Sequence, residues 1–119
     1  VNTISTLPMT VGPALNSPNG TFPYYHAAQN KLFLYIADQG NHRIRRLDTA
    51  TNALVTVAGT GSSGSSGDGG LATAARLNSP ADVAVDAVGN LYIADKGNNK
   101  IRKVTAVAGL VTDSSCSSS

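Results

Sequence analysis

The sequence has no glutamate and no tryptophan, a single cysteine and a single methionine, and its aromatic residues amount to 5% of 119 residues. With Glu missing and Ala-Leu-Lys periodicity scarce, the strong helix formers give way to Val, Ile, Thr, Asn and Gly, and the chain reads as all-β. The lone Cys116 excludes an internal disulfide framework, so the core alone must hold the fold, and its thiol is a candidate only for an interchain disulfide. Long hydrophobic runs are also missing. The longest, Leu32 to Ala37 and the valine-rich stretch near Val83, are far too short to cross a bilayer, so no membrane span is expected. Charge is scarce too: nine Lys and Arg against seven Asp leave a net +2, too weak on its own to imply nucleic acid. No basic, apolar and small-residue succession follows Val1, so the chain is expected to be excised from a longer one.

What is present is a balance of 41% hydrophobic and 13% charged residues, which fits one packed domain with a Ser, Thr, Asn and Gly surface. An internal repeat is plain. The string LNSP occurs at Leu15–Pro18 and at Leu77–Pro80, and YIADQGNHRIRRL from Tyr35 is echoed by YIADKGNNKIRKV from Tyr92, identical at eight of thirteen positions. The two LNSP strings lie 62 residues apart and the two YIAD strings 57, so the first copy carries five extra residues, expected within Asn19 to Lys31.

Each copy offers four strands. In the second they are expected at Asp82–Asp86, Leu91–Ala94, Lys100–Thr105 and about Gly109–Asp113, with turns at Asp86–Asn90 and Asp95–Asn98. In the first they are expected at Phe22–His26, Leu32–Ala37, Arg43–Asp48 and Ala53–Ala58, with Ile4–Pro8 as an orphan outer strand. GTGSSGSSGDGG, residues 59–70, is rich enough in Gly and Ser to predict a mobile surface loop. A short helical turn is expected at Leu71–Arg76. Four antiparallel strands per repeat, joined by tight turns, is what a propeller blade requires.

The ordered elements Gly67-Asp68-Gly69-Gly70, Ala72, Ala75, Leu77-Asn78-Ser79-Pro80, Val83-Ala84-Val85-Asp86, Gly89–Asp95 and Asn98–Val104 resemble the NHL-repeat β-propeller family. The resemblance covers about residues 15 to 113 and implies a blade per repeat in a ring of about six. It divides the chain into residues 1–14, the outer strand and loop of a preceding blade; 15–75, blade 1 with its Gly/Ser-rich connection 59–70; 76–113, blade 2; and 114–119, a Ser-rich tail. In the first copy TFPYYH replaces VAVD, and Pro23 lacks a ladder donor. About two blades and a leading strand cannot close a ring alone. Further blades of the same polypeptide, or other copies of the chain, are therefore expected partners.

Asp38 and Asp95 could be paired carboxylates for acid–base or metal chemistry. Each instead opens the same hairpin turn, with Gly40 and Asn41 or Gly97 and Asn98 following, so their expected role is to cap turn amides. The basic residues Arg43, Arg45, Arg46, Lys100, Arg102 and Lys103 interleave with Ile44, Leu47, Ile101 and Val104, and form the candidate ligand or partner surface. Near-neutral net charge and few aromatics for base stacking argue against RNA. His26 and His42 are the only histidines, too few for a zinc site, and His42 is expected to be solvated in its turn. GDGG is not followed by GK[ST], so no phosphate loop is expected. No cofactor, metal or catalytic residue is expected. Asn19-Gly20-Thr21 is a candidate N-glycosylation site. With the Ser/Thr clusters it points to an extracellular or cell-surface location.

The functional expectation is a non-catalytic module for protein or glycan interaction and scaffolding. The alternatives are a structural subunit of an extracellular filament or surface appendage, and a fragment of a propeller enzyme such as a lyase.

Overall fold

The computed structural model describes residues 15–107, 109–111 and 116–118. Period-two alternation and Gly/Asn turns build two antiparallel sheets. The first is β1 (Pro18–His26), β2 (Lys31–Asp38), β3 (Arg43–Asp48) and β4 (Ala53–Ala58); the second is β5 (Asp82–Val85), β6 (Leu91–Asp95), β7 (Lys100–Val104) and β8 (Cys116–Ser118). Each sheet runs in sequence order, β1-β2-β3-β4 and β5-β6-β7-β8, the up-and-down meander of a propeller blade. The matched turns after β2 and β6 close on the left-handed residues His42 (φ 53°) and Asn99 (φ 53°).

Register locates the five-residue insertion. Pro23 pairs with Leu34 where Val85 pairs with Leu91, and beyond those pairs the first hairpin continues through Tyr24↔Phe33, Tyr25↔Leu32 and His26↔Lys31. The extra residues therefore lengthen the tip of the β1–β2 hairpin into an aromatic tongue, turned by Ala27–Gln29 and left-handed Asn30. Pro23 stays in the strand because β1 is the sheet edge, where a missing N–H donor is tolerated.

The main core lies between the sheets. Tyr35, Ala37 and Ile44 on one face of the first sheet pack with Val83, Val85, Leu91, Ile93 and Val104 of the second. Ala72, Ala75 and Leu77 of the connection join them. A smaller cluster of Ile36, Leu47 and Leu54 lies on the opposite face of the first sheet. Each fully buried aliphatic side chain contributes about 1.5–3 kcal/mol.

Three expectations require correction. The fourth strand of the second sheet is Cys116–Ser118 rather than Gly109–Asp113, so part of the serine-rich stretch expected as a tail supplies an edge strand. Local bonding explains the displacement. Val107 and Leu110 exchange backbone hydrogen bonds around Gly109, while the Gly109 and Val111 carbonyls accept from Tyr24 and Arg46 of the first sheet. The connection 59–70 is not a loose loop. Gly59, Gly64 and Arg76 donate backbone bonds to Ala72, Leu77 and Ser66, and the Asn98 amide donates to the Gly64 carbonyl at 2.7 Å. The helical turn shrinks to a 3-10 turn at Ala72–Ala74. The strand expected at Ile4–Pro8 lies outside the described residues.

Candidate interaction surface and buried polar struts

The basic residues of β3 and β7 divide by register into three matched pairs with different surroundings. At the strand starts, half-buried Arg43 donates to the Thr60 carbonyl at 3.2 Å, and Lys100 reaches the Ser65 carbonyl at 3.4 Å. Both serve the connection.

The middle pair corrects the sequence reading. Arg45 and Arg102 were expected on a partner surface, yet both are 0% exposed, because alternation turns them to the face that carries Leu47 and Val104. Each meets an equally buried aspartate: Arg45 Nη1 lies 3.3 Å from Asp38 Oδ2, and Arg102 Nη1 lies 3.3 Å from Asp95 Oδ2. The aspartates do not cap their own turns. Asp38 Oδ1 accepts the backbone N–H of Asn16 at 2.8 Å, and Asp95 Oδ1 accepts that of Asn78 at 2.8 Å. The Asn41 and Asn98 amides donate to the second oxygens at 2.9 and 2.8 Å. Gly97 is required here by close approach: a Cβ would stand 2.5 Å from Asn78 Cγ. Each LNSP segment is thus fastened to the following turn.

Arg102 carries more. Its guanidinium donates to the Arg76 carbonyl at 2.9 Å and the Ser66 carbonyl at 3.1 Å, and lies 3.0 Å from half-exposed Asp68. Asp68 is the nearer anion, but buried Asp95 is the stronger partner, because attraction weakens in the solvent-screened setting of Asp68. The Gly-rich connection is held by this one cation, which is why its composition misrepresents its order.

The third pair, Arg46 and Lys103, lies over aromatic rings. The Arg46 guanidinium sits 5.0 Å from the Phe33 ring centre and donates to the Val111 carbonyl at 2.7 Å. Lys103 Nζ sits 5.8 Å from the Tyr92 ring centre. Around Arg46 the tongue grips the second blade. The Tyr24 hydroxyl donates to the Gly109 carbonyl at 2.7 Å, the Tyr24 ring meets Tyr35 edge-on at 6.4 Å, and buried His26 abuts Gly109. Burial pushes the Tyr35 phenol pKa up, with Arg46 opposing the shift. The sequence reading missed this clasp. Its only sequence signal is the concentration of Phe22, Tyr24, Tyr25 and Phe33 in one copy.

His42, expected to be solvated, is half-buried, and its Nδ1 accepts the Ser79 backbone N–H at 3.0 Å, joining the turn of the first blade to the LNSP of the second. His26 and His42 enter no group of three or more metal-ligating side chains among the described residues. Asn19 is exposed and the backbone of Cys116 lies in β8, while the Cys116 side chain is outside the described residues.

One sheet face is open. Asp82, Ala84, Tyr92, Ala94 and Ile101 line a shallow trough of about 170 Å³ on the side of the second sheet away from the first. Ile101 is 46% exposed, whereas Ile44 at the matching position is 0% exposed. Asp86 stands beside this face and accepts the Tyr92 hydroxyl at 3.2 Å. Desolvation works against its charge, but hydrogen bonds from Asn90, Tyr92 and Val88 outweigh it and hold the Asp86 pKa below the usual carboxylate value.

Two consecutive four-stranded meanders, packed face to face, define a β-propeller segment. Residues 77–104 match the NHL repeat family, so the chain is an NHL-repeat β-propeller segment. It is 39% identical over 71 residues to Protein SUPPRESSOR OF QUENCHING 1, chloroplastic, of Arabidopsis thaliana, a match covering 60% of this chain and 6% of that protein. NHL repeat-containing protein 2 of Bos taurus is 36% identical over 75 residues, covering 62% of this chain and 10% of that protein. Teneurin-4 of Homo sapiens is 40% identical over 88 residues, covering 64% of this chain and 3% of that protein. A crystal structure of an auxiliary nutrient binding protein from Bacteroides thetaiotaomicron superposes with a TM-score of 0.63 at 30% identity, covering 75% of this chain and 22% of that one. The chain thus spans 10% or less of these curated relatives. Propellers of this class generally mediate protein interaction. No helix among the described residues is long and apolar enough to cross a membrane.

Proposed function

We propose that this chain is a non-catalytic scaffolding module that engages another protein, or further propeller blades, through its sheet surfaces. The open apolar face of blade 2 carries this reading: Ile101 is 46% exposed in a sheet whose other face is core. The buried Asp–Arg pairs support it as well, because their donors and acceptors are used to fasten LNSP segments and the connection. A glycan is a second class of ligand compatible with the module; the superposed neighbour is described as nutrient binding. An extracellular or cell-surface setting is supported by the exposure of both Asn19 and Thr21 in the sequon.

Light scattering combined with electron microscopy of the chain tests the proposal. A discrete particle is expected, whereas long fibres would replace it with the structural-filament reading. One observation favours that rival: the open face belongs to a head-to-tail interface, and such interfaces grow without limit unless rotation closes them.

A further inference from the structure

We propose that the open face of blade 2 docks an aliphatic four-stranded sheet of the blade-2 kind, with Lys103 over Tyr92 capturing a main-chain carbonyl at that sheet's rim. The inference rests on the interaction-module reading and names the partner of its surface.

The address is written twice in this chain, once occupied and once open. Register aligns Tyr35, Ala37, Ile44 and Arg46 of the first sheet with Tyr92, Ala94, Ile101 and Lys103 of the second. Three of the four residues are identical and the fourth keeps its charge. In the first sheet Tyr35, Ala37 and Ile44 are each 0% exposed. Their cover is the purely aliphatic set Val83, Val85, Leu91, Ile93 and Val104, presented by one face of a four-stranded sheet. The same residue types in the same register therefore select the same kind of cover at the open face. This is continuity with an interface the molecule already forms.

Lys103 adds a polar condition. At the occupied address, Arg46 lies over Phe33 and Tyr35 and donates to the Val111 carbonyl at 2.7 Å, a group just past the covering sheet's third strand. A backbone carbonyl excluded from its own ladder is thereby satisfied by the neighbouring blade, as buried acceptors require. At the open address Lys103 Nζ is poised over Tyr92, with three donors on a flexible stem. The Tyr92 ring is itself braced by its hydroxyl bond to Asp86. The partner must therefore supply an aliphatic patch for Ala84, Ala94 and Ile101 and an unpaired carbonyl near Lys103.

An unmodified second copy of this chain fits poorly, because its corresponding aliphatic face, at Ile36, Leu47 and Leu54, is already buried. The occupant is a further blade.

The test compares the chain with a version extended by a second copy of residues 59–118, whose added lysines are changed to arginine. Both are labelled with an amine-reactive ester and read by mass spectrometry, using exposed Lys96 as the internal reference. Labelling of Lys103 relative to Lys96 should fall at least about tenfold in the extended chain, the scale of one net hydrogen bond. Ile101→Asp should restore it. If the added blade does not fold, as judged by circular dichroism, an added copy of residues 15–76 takes its place, since it carries the other aliphatic face. Unchanged Lys103 labelling beside a folded extension overturns the inference. So does protection of Lys103 in the unextended chain that rises with concentration, which would make the occupant a second copy. Failure of the extended chain to bind any protein would defeat the interaction-module reading alone, leaving the docking result intact.

Discussion

Replacing Arg102 by Met is the most informative perturbation of the fold. The substitution keeps an unbranched stem and removes the guanidinium. Asp95, 0% exposed, loses its cation, and the carbonyls of Arg76 and Ser66 lose donors at 2.9 and 3.1 Å. Removing one member of a buried pair costs roughly 3–5 kcal/mol. Asp95 retains donors from Asn78 and Asn98, both at 2.8 Å, which places the expected loss at the lower end. Against a typical domain stability of about 5–15 kcal/mol this is a large fraction. Asp68→Ala removes the nearer but 39% exposed anion and should cost only about 0–1 kcal/mol. Asp95→Asn combined with Arg102→Met should recover part of the loss, since neither charge is then buried alone. Urea unfolding followed by far-UV circular dichroism reads all four proteins, with the slope checking that the denatured state is comparable. If Arg102→Met is no more damaging than Asp68→Ala, the buried pair does not organise the connection and the reasoning fails.

Other outcomes follow from single contacts. Tyr24→Phe deletes the hydroxyl donor to the Gly109 carbonyl and should cost about 0.5–1.5 kcal/mol in the same unfolding assay. Gly89→Ala should be worse, by at least about 1–3 kcal/mol, because Gly89 has φ 94° and an added Cβ would stand 2.2 Å from the Gly109 carbonyl oxygen. Asp48 and Asp86 both have lowered pKa values, Asp48 through the Lys31 hydrogen bond and Asp86 through the bonds that outweigh its desolvation. Their contribution to stability is therefore present above the ordinary aspartate pKa of about 3.9 and is lost as pH falls through the lower folded values. Asp86→Asn should flatten that acid loss in a pH series of unfolding midpoints; an unchanged profile would remove Asp86 from the account.

The repeat made the blade legible because its signals are local. Asp-x-Gly-Asn turns and the alternation in LYIAD and KIRKV depend on neighbours a few residues away. Long-range partners decided the rest. Gly and Ser content described residues 59–70 as loose, but Arg102, more than thirty residues downstream, gathers their carbonyls. Alternation gave the clue to the buried pairs: Arg45 and Arg102 fall on the inward positions of strands whose other inward residues are apolar, each seven residues after an aspartate. A charge at an inward position in both copies marks a satisfied internal pair rather than a surface. The displaced fourth strand was not legible, because Tyr24 and Arg46, which hold the Gly109–Val111 segment against the first blade, belong to the other repeat.

Tyrosine nitration tests the central claim most directly, because the two sheets place the same residue in opposite environments. Tyr35 is 0% exposed and its phenol pKa is raised by burial, whereas Tyr92 lies half-exposed on the open face and Tyr25 is 55% exposed. Peptide mapping of the folded chain should find nitration at Tyr25 and Tyr92 with Tyr35 spared. Equal modification of Tyr35 and Tyr92 would contradict a pair of packed blades with one face left for a partner.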